Sequence, residues 1–407
     1  MSARERARRP RRVAIVVHAT VPQDPRVRRQ TDVLLADGYE VDIFALREPD
    51  QERLESSGGV TIHRLPINRT WYGIAGHLAE YLAFMAAATV AVTRQHRRRR
   101  YRLIQVATVP DFLVLAGLPV KLTGVPVLLD LHEDMPTFYR DRFPGRLVGP
   151  GMLLVNAITR ASAAAADELI TVHEPLRRLS LDRGVAPDRI AVVMNSADER
   201  IFSAAPRRPF MEDGELRLVH HSNLQRVYGL EYAIEAVALL PDLPVRLDVY
   251  GDGPYRRQVE GAIERTGTSA RVHLQGRVPM EQLPGLLAGS DIGLVPTRPE
   301  PYAQYSLSTK LLEYVVMGVP IIASDLATFR YHFSAEAMRY VPGADPGALA
   351  AAIRQDVADP AGMQARADEA LRQYRPYRWE IQRDRYLAVV NRLTRRYAGV
   401  TSSVEGG

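Results

Sequence analysis

Short, almost uninterrupted apolar runs constrain this chain more than any other feature. They stand at 13–17, 103–107, 125–131, 292–295 and 321–324. None alternates apolar with polar residues, so each reads as a strand covered on both faces, the condition of a parallel sheet. Parallel neighbours need a crossover, and helical patterns fill the intervals. The first half gives strands at 13–17, 40–45, 103–107, 125–131, 168–172 and 190–194, with helices at 28–37, 110–122 and 175–183. After Pro206-Arg207-Arg208-Pro209, read as an interdomain linker, the pattern restarts. Strands at 216–220, 245–250, 272–274 and 292–295 alternate with helices at 230–240, 255–266 and 280–288. Helices at 349–357, 361–374 and 379–396 close the chain. A length of 407 residues exceeds one compact core, so two α/β domains with parallel sheets are expected.

Composition narrows the chemistry. There is no cysteine, which removes disulfides, thiolate metal sites and a cysteine nucleophile. The net charge of +6 is local, concentrated at 4–12 and 97–102. Lysine occurs only at Lys121 and Lys310. The basic opening followed by an apolar run imitates a secretory signal, but the run is short and meets Asp24-Pro25-Arg26 without a small-residue cleavage pattern. A disordered basic tail and a cytoplasmic protein are expected. The stretch 75–93 is apolar, is broken by His77 and Glu80, and precedes the second arginine cluster. It falls slightly short of a membrane span and reads as a buried helix or one lying on a membrane surface.

Ligands of open parallel sheets bind beyond the carboxyl ends of the strands. In the second half those ends carry Ser222, Asn223, Gly251, Gly253, Gly276 and Pro296. They lead to Tyr305-Ser306-Leu307-Ser308-Thr309-Lys310-Leu311-Leu312-Glu313, a small-residue loop entering a short helix that Gly318 and Pro320 end. Ser308 or Thr309 suits the N-cap. A helix start without bulky side chains suits a phosphate, and a carboxylate one turn further, Glu313, suits two ribose hydroxyls. The same residues read equally as a solvated Lys310–Glu313 pair. Arg226, after the first strand of this half, can reach a diphosphate.

In the first half the strand ending Asp130-Leu131-His132-Glu133-Asp134 places a histidine and carboxylates at its rim. No second histidine follows at zinc-helix spacing, no Asp-x-Asp triplet occurs, and neither a Gly-x-Ser-x-Gly elbow nor a Walker lysine loop is present. Gly251-Asp252-Gly253 is a broken dinucleotide fingerprint, which disfavours a nicotinamide dehydrogenase. The arginine clusters read as solvated faces, so no nucleic-acid partner is expected.

The ordered set of motifs resembles the retaining group-1 (GT4-like) glycosyltransferases of GT-B fold. The resemblance rests on Asp24-Pro25-Arg26-Val27-Arg28-Arg29 with Gly38-Tyr39-Glu40-Val41, on Asp130-Leu131-His132-Glu133, and on Asn195, Asp198 and Phe202. It continues through Gly251-Asp252-Gly253-Pro254, Gly276, Ser290-Asp291 and Lys310-x-x-Glu313-Tyr314-x-x-x-Gly318-x-Pro320. It implies a basic tail at 1–12, an acceptor domain at 13–205 and a nucleotide-sugar domain at 206–375, both Rossmann-like. A helix at 376–397 would cross back to the first domain, ahead of a flexible tail at 398–407.

The implied activity is transfer of a sugar from a UDP- or GDP-sugar to a hydroxyl, with retention and without metal or other cofactor. Such chemistry serves polysaccharide, glycolipid or natural-product glycoside synthesis. Catalytic roles fall to His132, Arg226 and Lys310. The donor would meet Ser222, Asn223, Gly251, Gly253, Gly276, Pro296, Tyr305, Ser306, Leu307, Ser308 and Glu313. The acceptor, lipid-carried or a small metabolite, would meet His18, Asp24, Arg26, Glu133 and Asp134. An anionic membrane surface is the one further partner expected. Two departures stand out. Tyr305 occupies the place of the family's glutamate eight residues before Glu313, and Tyr228-Gly229 replaces its Lys-Gly. They keep a second expectation open, a catalytically silent protein that binds a nucleotide sugar or a partner enzyme.

Overall fold

The structure is a computed structural model that describes residues 10–21, 24–67, 73–142, 148–203 and 206–404. Contacts divide the chain into two units, residues 1–194 with 382–407, and residues 195–381. The division falls after Met194, not after residue 205, and the reason is visible in the expected linker. Arg207 donates to the carbonyls of Ser290 (2.6 Å) and Gly318 (2.9 Å), and Arg208 reaches the Asp291 carboxylate at 3.3 Å. That segment is a tied-down part of the second unit.

The first unit holds an eight-stranded sheet. Its strands are β1 (Arg11–Thr20), β2 (Tyr39–Leu46), β3 (Leu54–Ser57), β4 (Val60–Leu65), β5 (Leu103–Ala107), β6 (Val127–Leu131), β7 (Glu168–Thr171) and β8 (Ile190–Val192). The order is β3-β4-β2-β1-β5-β6-β7-β8, so the chain reverses direction across the sheet between β1 and β5. All pairs are parallel except β3 with β4, an antiparallel hairpin the apolar runs gave no sign of. Leu54 to Ser57 are exposed and mostly polar, while Gly58 (φ 56°) and Gly59 (φ 87°) make the two-residue turn that needs positive φ twice. The basic tail is also shorter than expected, because Arg11 and Arg12 already belong to β1; residues 1–9 lie outside the described residues. Helices Met135–Arg142 and Val148–Ala165 were likewise not expected.

The helix Trp379–Val404 carries the chain from the second unit into the first, where its residues from Gln382 onward belong. It buries Tyr386, Val389, Val390 and Leu393. Tyr386 Oη donates to Gln105 Oε1 at 2.6 Å, and Arg392 bonds Glu168 at 2.8 Å. Because this helix runs to Val404, the tail expected from residue 398 is helical as far as the described residues go.

The second unit holds six parallel strands, β9 (Leu216–His221), β10 (Val245–Tyr250), β11 (Val272–Gly276), β12 (Ile292–Val295), β13 (Ile321–Ser324) and β14 (Arg339–Val341). Their order is β11-β10-β9-β12-β13-β14. Leu216 and Leu218 pack into one apolar layer and Val219 into the other, the alternation of a strand covered on both sides. The order reverses between β9 and β12, which is where such sheets open a crevice.

Candidate active site

The crevice at the β9–β12 switch is shaped by backbones that touch. Gly229, at φ 59°, begins the helix Leu230–Ala238, and a Cβ there would stand 2.1 Å from the Pro296 carbonyl oxygen. Gly251, at φ 126°, would place a Cβ 1.8 Å from the Ser222 carbonyl oxygen. Gly253 packs on the Asn223 side chain and on Leu224. These glycines therefore serve first to bring the loops after β9, β10 and β12 against one another, whereas the sequence reading had them approach a ligand. Gly276 (φ 76°) differs: a Cβ there meets nothing within 4 Å, and its carbonyl accepts from Gly251 N–H at 2.7 Å.

The helix Thr309–Val316 starts at Ser308, whose hydroxyl makes no cap bond. Ahead of it a 3₁₀ turn, Ala303–Tyr305, is tied to the later helix Ala327–His332, since Gln304 O accepts from Thr328 Oγ1 at 2.6 Å. Tyr305, Ser306, Leu307 and Ser308 are half-buried along this loop. One turn on, Glu313 Oε2 lies 2.5 Å from His221 Nε2. The imidazole donates and the carboxylate accepts, a short charge-assisted contact that fixes the carboxylate rotamer. Oε1 of Glu313 has no hydrogen-bond partner among the described residues. His221 is held in turn by Tyr314, whose Oη lies 3.2 Å from Nδ1 and donates to Val219 O at 3.3 Å. Tyr314 fits beneath the sheet because position 293 is glycine: a Cβ there would lie 2.7 Å from the ring.

Lys310 is not the solvated partner of Glu313. It is buried, with Nζ 3.5 Å from the centre of the Tyr228 ring and without a hydrogen-bond acceptor among the described residues. Burial lowers its pKa to about 7, against the opposing pull of Glu313. The amine thus rests on the very residue that replaces the lysine of the family pattern. Behind it, the buried His220 donates Nδ1–H to Leu294 O (3.0 Å) and accepts from Ser222 Oγ at Nε2 (2.9 Å). Burial, then the nearby Lys310, pushes the His220 pKa far down, so it stays neutral. Ser222 is accordingly engaged by its own strand. Arg226 is largely exposed and bonds Glu300 at 2.5 Å.

The first unit builds a second cluster from strand ends. His132 Nε2 lies 2.9 Å from Asp130 Oδ2, which also accepts from Gln30 at 2.7 Å. Gln105 bridges Gln30 (2.8 Å) and Asp130 (3.3 Å) and is anchored by Tyr386. The carboxylate only accepts, so Nε2 carries a hydrogen, and in the neutral ring Nδ1 offers a lone pair. That buried Nδ1 has no protein partner among the described residues. Asp24 caps the helix Pro25–Ala36 through the amides of Arg26 and Val27. Its burial works to raise the carboxyl pKa, but Arg26, His132 and those amides outweigh it and hold it low.

Three expected acceptor residues have other engagements. His18 packs edge-on against Tyr81 and Phe84, with Nε2 3.2 Å from Glu80, all on the helix Gly73–Arg99. Asp134 is buried, accepting from Thr137 N–H at 3.0 Å and from Arg183 Nη2 at 2.9 Å. Arg26 lies 3.7 Å from Asp24 and supports the cap. Glu133 is half-buried beside them. Conversely, Asp130, His221, Tyr228 and Glu300 hold expected site residues and were not chosen as such. His221 had a signal, a histidine at the carboxyl end of a strand beside Ser222 and Asn223. Glu300 had only its place in a proline-rich loop.

A family model for group 1 glycosyl transferases matches residues 215–359, and one for a glycosyl transferase 4-like domain matches residues 23–196. The 2-deoxystreptamine glucosyltransferase of Streptomyces kanamyceticus is 27% identical over 65% of this chain and 70% of its own length. The 2-deoxystreptamine N-acetyl-D-glucosaminyltransferase of Streptomyces fradiae is 27% identical over 76% of this chain and 75% of its own. Among solved structures, a sucrose-phosphate synthase from Thermosynechococcus elongatus superposes with a TM-score of 0.76 at 21% identity, covering 94% of this chain and 99% of that one. Anabaena HepE in complex with UDP and glucose gives 0.66 at 14% identity, over 93% and 99%. The chain belongs to the group 1 (GT4-like) glycosyltransferases and has their GT-B fold.

Proposed function

We propose that this protein transfers a glycosyl unit from a nucleoside diphosphate sugar to a hydroxyl, with retention at the anomeric carbon and without a metal. The observation that carries the reading is Glu313, held by His221 at the switch point of the second sheet with one oxygen open and the unbonded Lys310 amine on the same helix. The open carboxylate suits ribose hydroxyls. Lys310, Arg226 and the amides of the 306–309 loop suit the diphosphate, and donors aimed at a leaving group supply the largest usual share of such catalysis. The bond from anomeric carbon to phosphate oxygen breaks as the bond to the acceptor oxygen forms on the same face. The acceptor proton passes to the departing phosphate oxygen. His132, whose buried Nδ1 has no partner among the described residues, is the residue of the first unit assigned to substrate recognition.

Two neighbours seen with UDP compounds, HepE and an E. coli protein bound to UDP-2-fluoro-glucose, support a UDP-sugar over a GDP-sugar. Relatives named for 2-deoxystreptamine and for D-inositol 3-phosphate support a polyhydroxylated ring as acceptor, hence a natural-product glycoside over a polysaccharide. Incubation with UDP-glucose or UDP-N-acetylglucosamine and 2-deoxystreptamine in EDTA, read by proton NMR, tests this. An α-linked product is expected. A β-linked product, or one that requires added metal, contradicts the mechanism.

A further inference from the structure

The helix Gly73–Arg99 is apolar on its outer side as well as on its inner one. Its inner stripe repeats every fourth residue as Glu80, Phe84, Ala88, Val92 and His96, all buried. Two residues out of phase, on the opposite side, stand Leu78, Leu82, Ala86 and Val90, of which Val90 is 67% exposed. Only 22% of the helix's apolar window is buried, which corrects the expectation of a buried helix, and its length and composition would suffice to cross a membrane. The outer stripe continues into Arg94 and Arg98, with Arg97 beside them, and none of the three meets a carboxylate among the described residues. Between this helix and β4 lies an open cleft of about 600 Å³, floored by alanines and rimmed by Arg94 and Arg98.

The surroundings repeat both features. The helix Val148–Ala165 exposes Leu153 (76%) and Leu154 (63%), and both helices pack on the 3₁₀ segment Asp111–Gly117. Arg12 donates to Arg99 O at 3.3 Å, so the chain that follows the basic residues 4–9 enters β1 beside the arginine end of the helix.

We propose that this face docks the protein on an anionic lipid bilayer, with the outer stripe of the helix Gly73–Arg99 dipping among the acyl chains and its arginines bonded to lipid phosphates. An apolar face with a cationic flank is what interfacial helices present. A second copy is the poorer occupant. The one carboxylate of this helix, Glu80, is buried against His18, so a like surface offers the arginines nothing to pair with. A nucleic acid would leave the apolar stripe in water.

The test is co-sedimentation of the full chain with phosphatidylcholine vesicles, with and without phosphatidylglycerol. Two double variants accompany it, Leu82→Glu with Val90→Glu, and Arg94→Glu with Arg98→Glu. The wild type is expected to sediment only with the anionic vesicles, and each pair to weaken that partition at least ~10-fold. Both pairs should keep the wild-type thermal shift with UDP, which separates this proposal from the donor reading. Absence of wild-type binding to anionic vesicles, or undiminished binding by either pair, overturns it. A dimer that both pairs dissolve does so too.

Discussion

Lys310 is the residue whose charge state decides most. Its pKa of about 7 in the folded chain lies below the ordinary 10.5, so between those values the unfolded chain holds a proton the folded one lacks. Stability from this group therefore rises with pH across that window. Melting followed from pH 7 to 10 should show that rise in the wild type and lose it in Lys310→Met. A diphosphate wants the opposite, the charged amine. Its affinity for the wild type should fall as pH climbs through about 7, by up to tenfold per unit, and stay flat in the variant. His132 belongs to the same scale. Asp130→Asn leaves its shape but removes the carboxylate that fixes the Nε2–H tautomer, and turnover should drop ~10- to 100-fold. His132→Ala with unchanged turnover would take this cluster out of the reaction.

At the scale of elements, loops touching backbone to backbone set the crevice, and the glycines are not equivalent. Gly251→Ala meets both a forbidden φ and the Ser222 carbonyl, and should destabilise by about 2–4 kcal/mol with loss of nucleotide binding. Gly276→Ala meets open space and should cost only about 1 kcal/mol. Chemical denaturation of the two variants checks the contrast. Strand positions were legible in the sequence because burial on both faces leaves unbroken apolar runs, and β5, β10, β12 and β13 stand at the expected residues. The β3–β4 hairpin was not, since an exposed edge strand needs no apolar pattern. The place of Glu313, one turn into the helix after the small-residue loop, was legible from its spacing. Its partner His221 was not, because the contact joins a strand end to a helix far along the chain. Lys310 stands on the expected helix, but its amine rests buried on the Tyr228 ring, which rules out the solvated pair with Glu313 that periodicity also allowed.

For the whole molecule, the two sheets each carry a cluster built at strand ends, one around His132 and one around Glu313. The chain passes from the second unit into the first along the terminal helix, whose Tyr386 anchors the glutamine bridge to Asp130. The proposed activity requires the second unit to be a nucleoside diphosphate site with Glu313 as its ribose carboxylate. Thermal denaturation of the full chain with UDP, GDP, TDP and ADP, in EDTA, tests that most directly, since a ligand bound only by the native state raises its melting point. One nucleotide, UDP by this account, should raise the midpoint in the wild type and fail to do so in Glu313→Ala. No shift from any of the four, or a shift that survives Glu313→Ala undiminished, would contradict it.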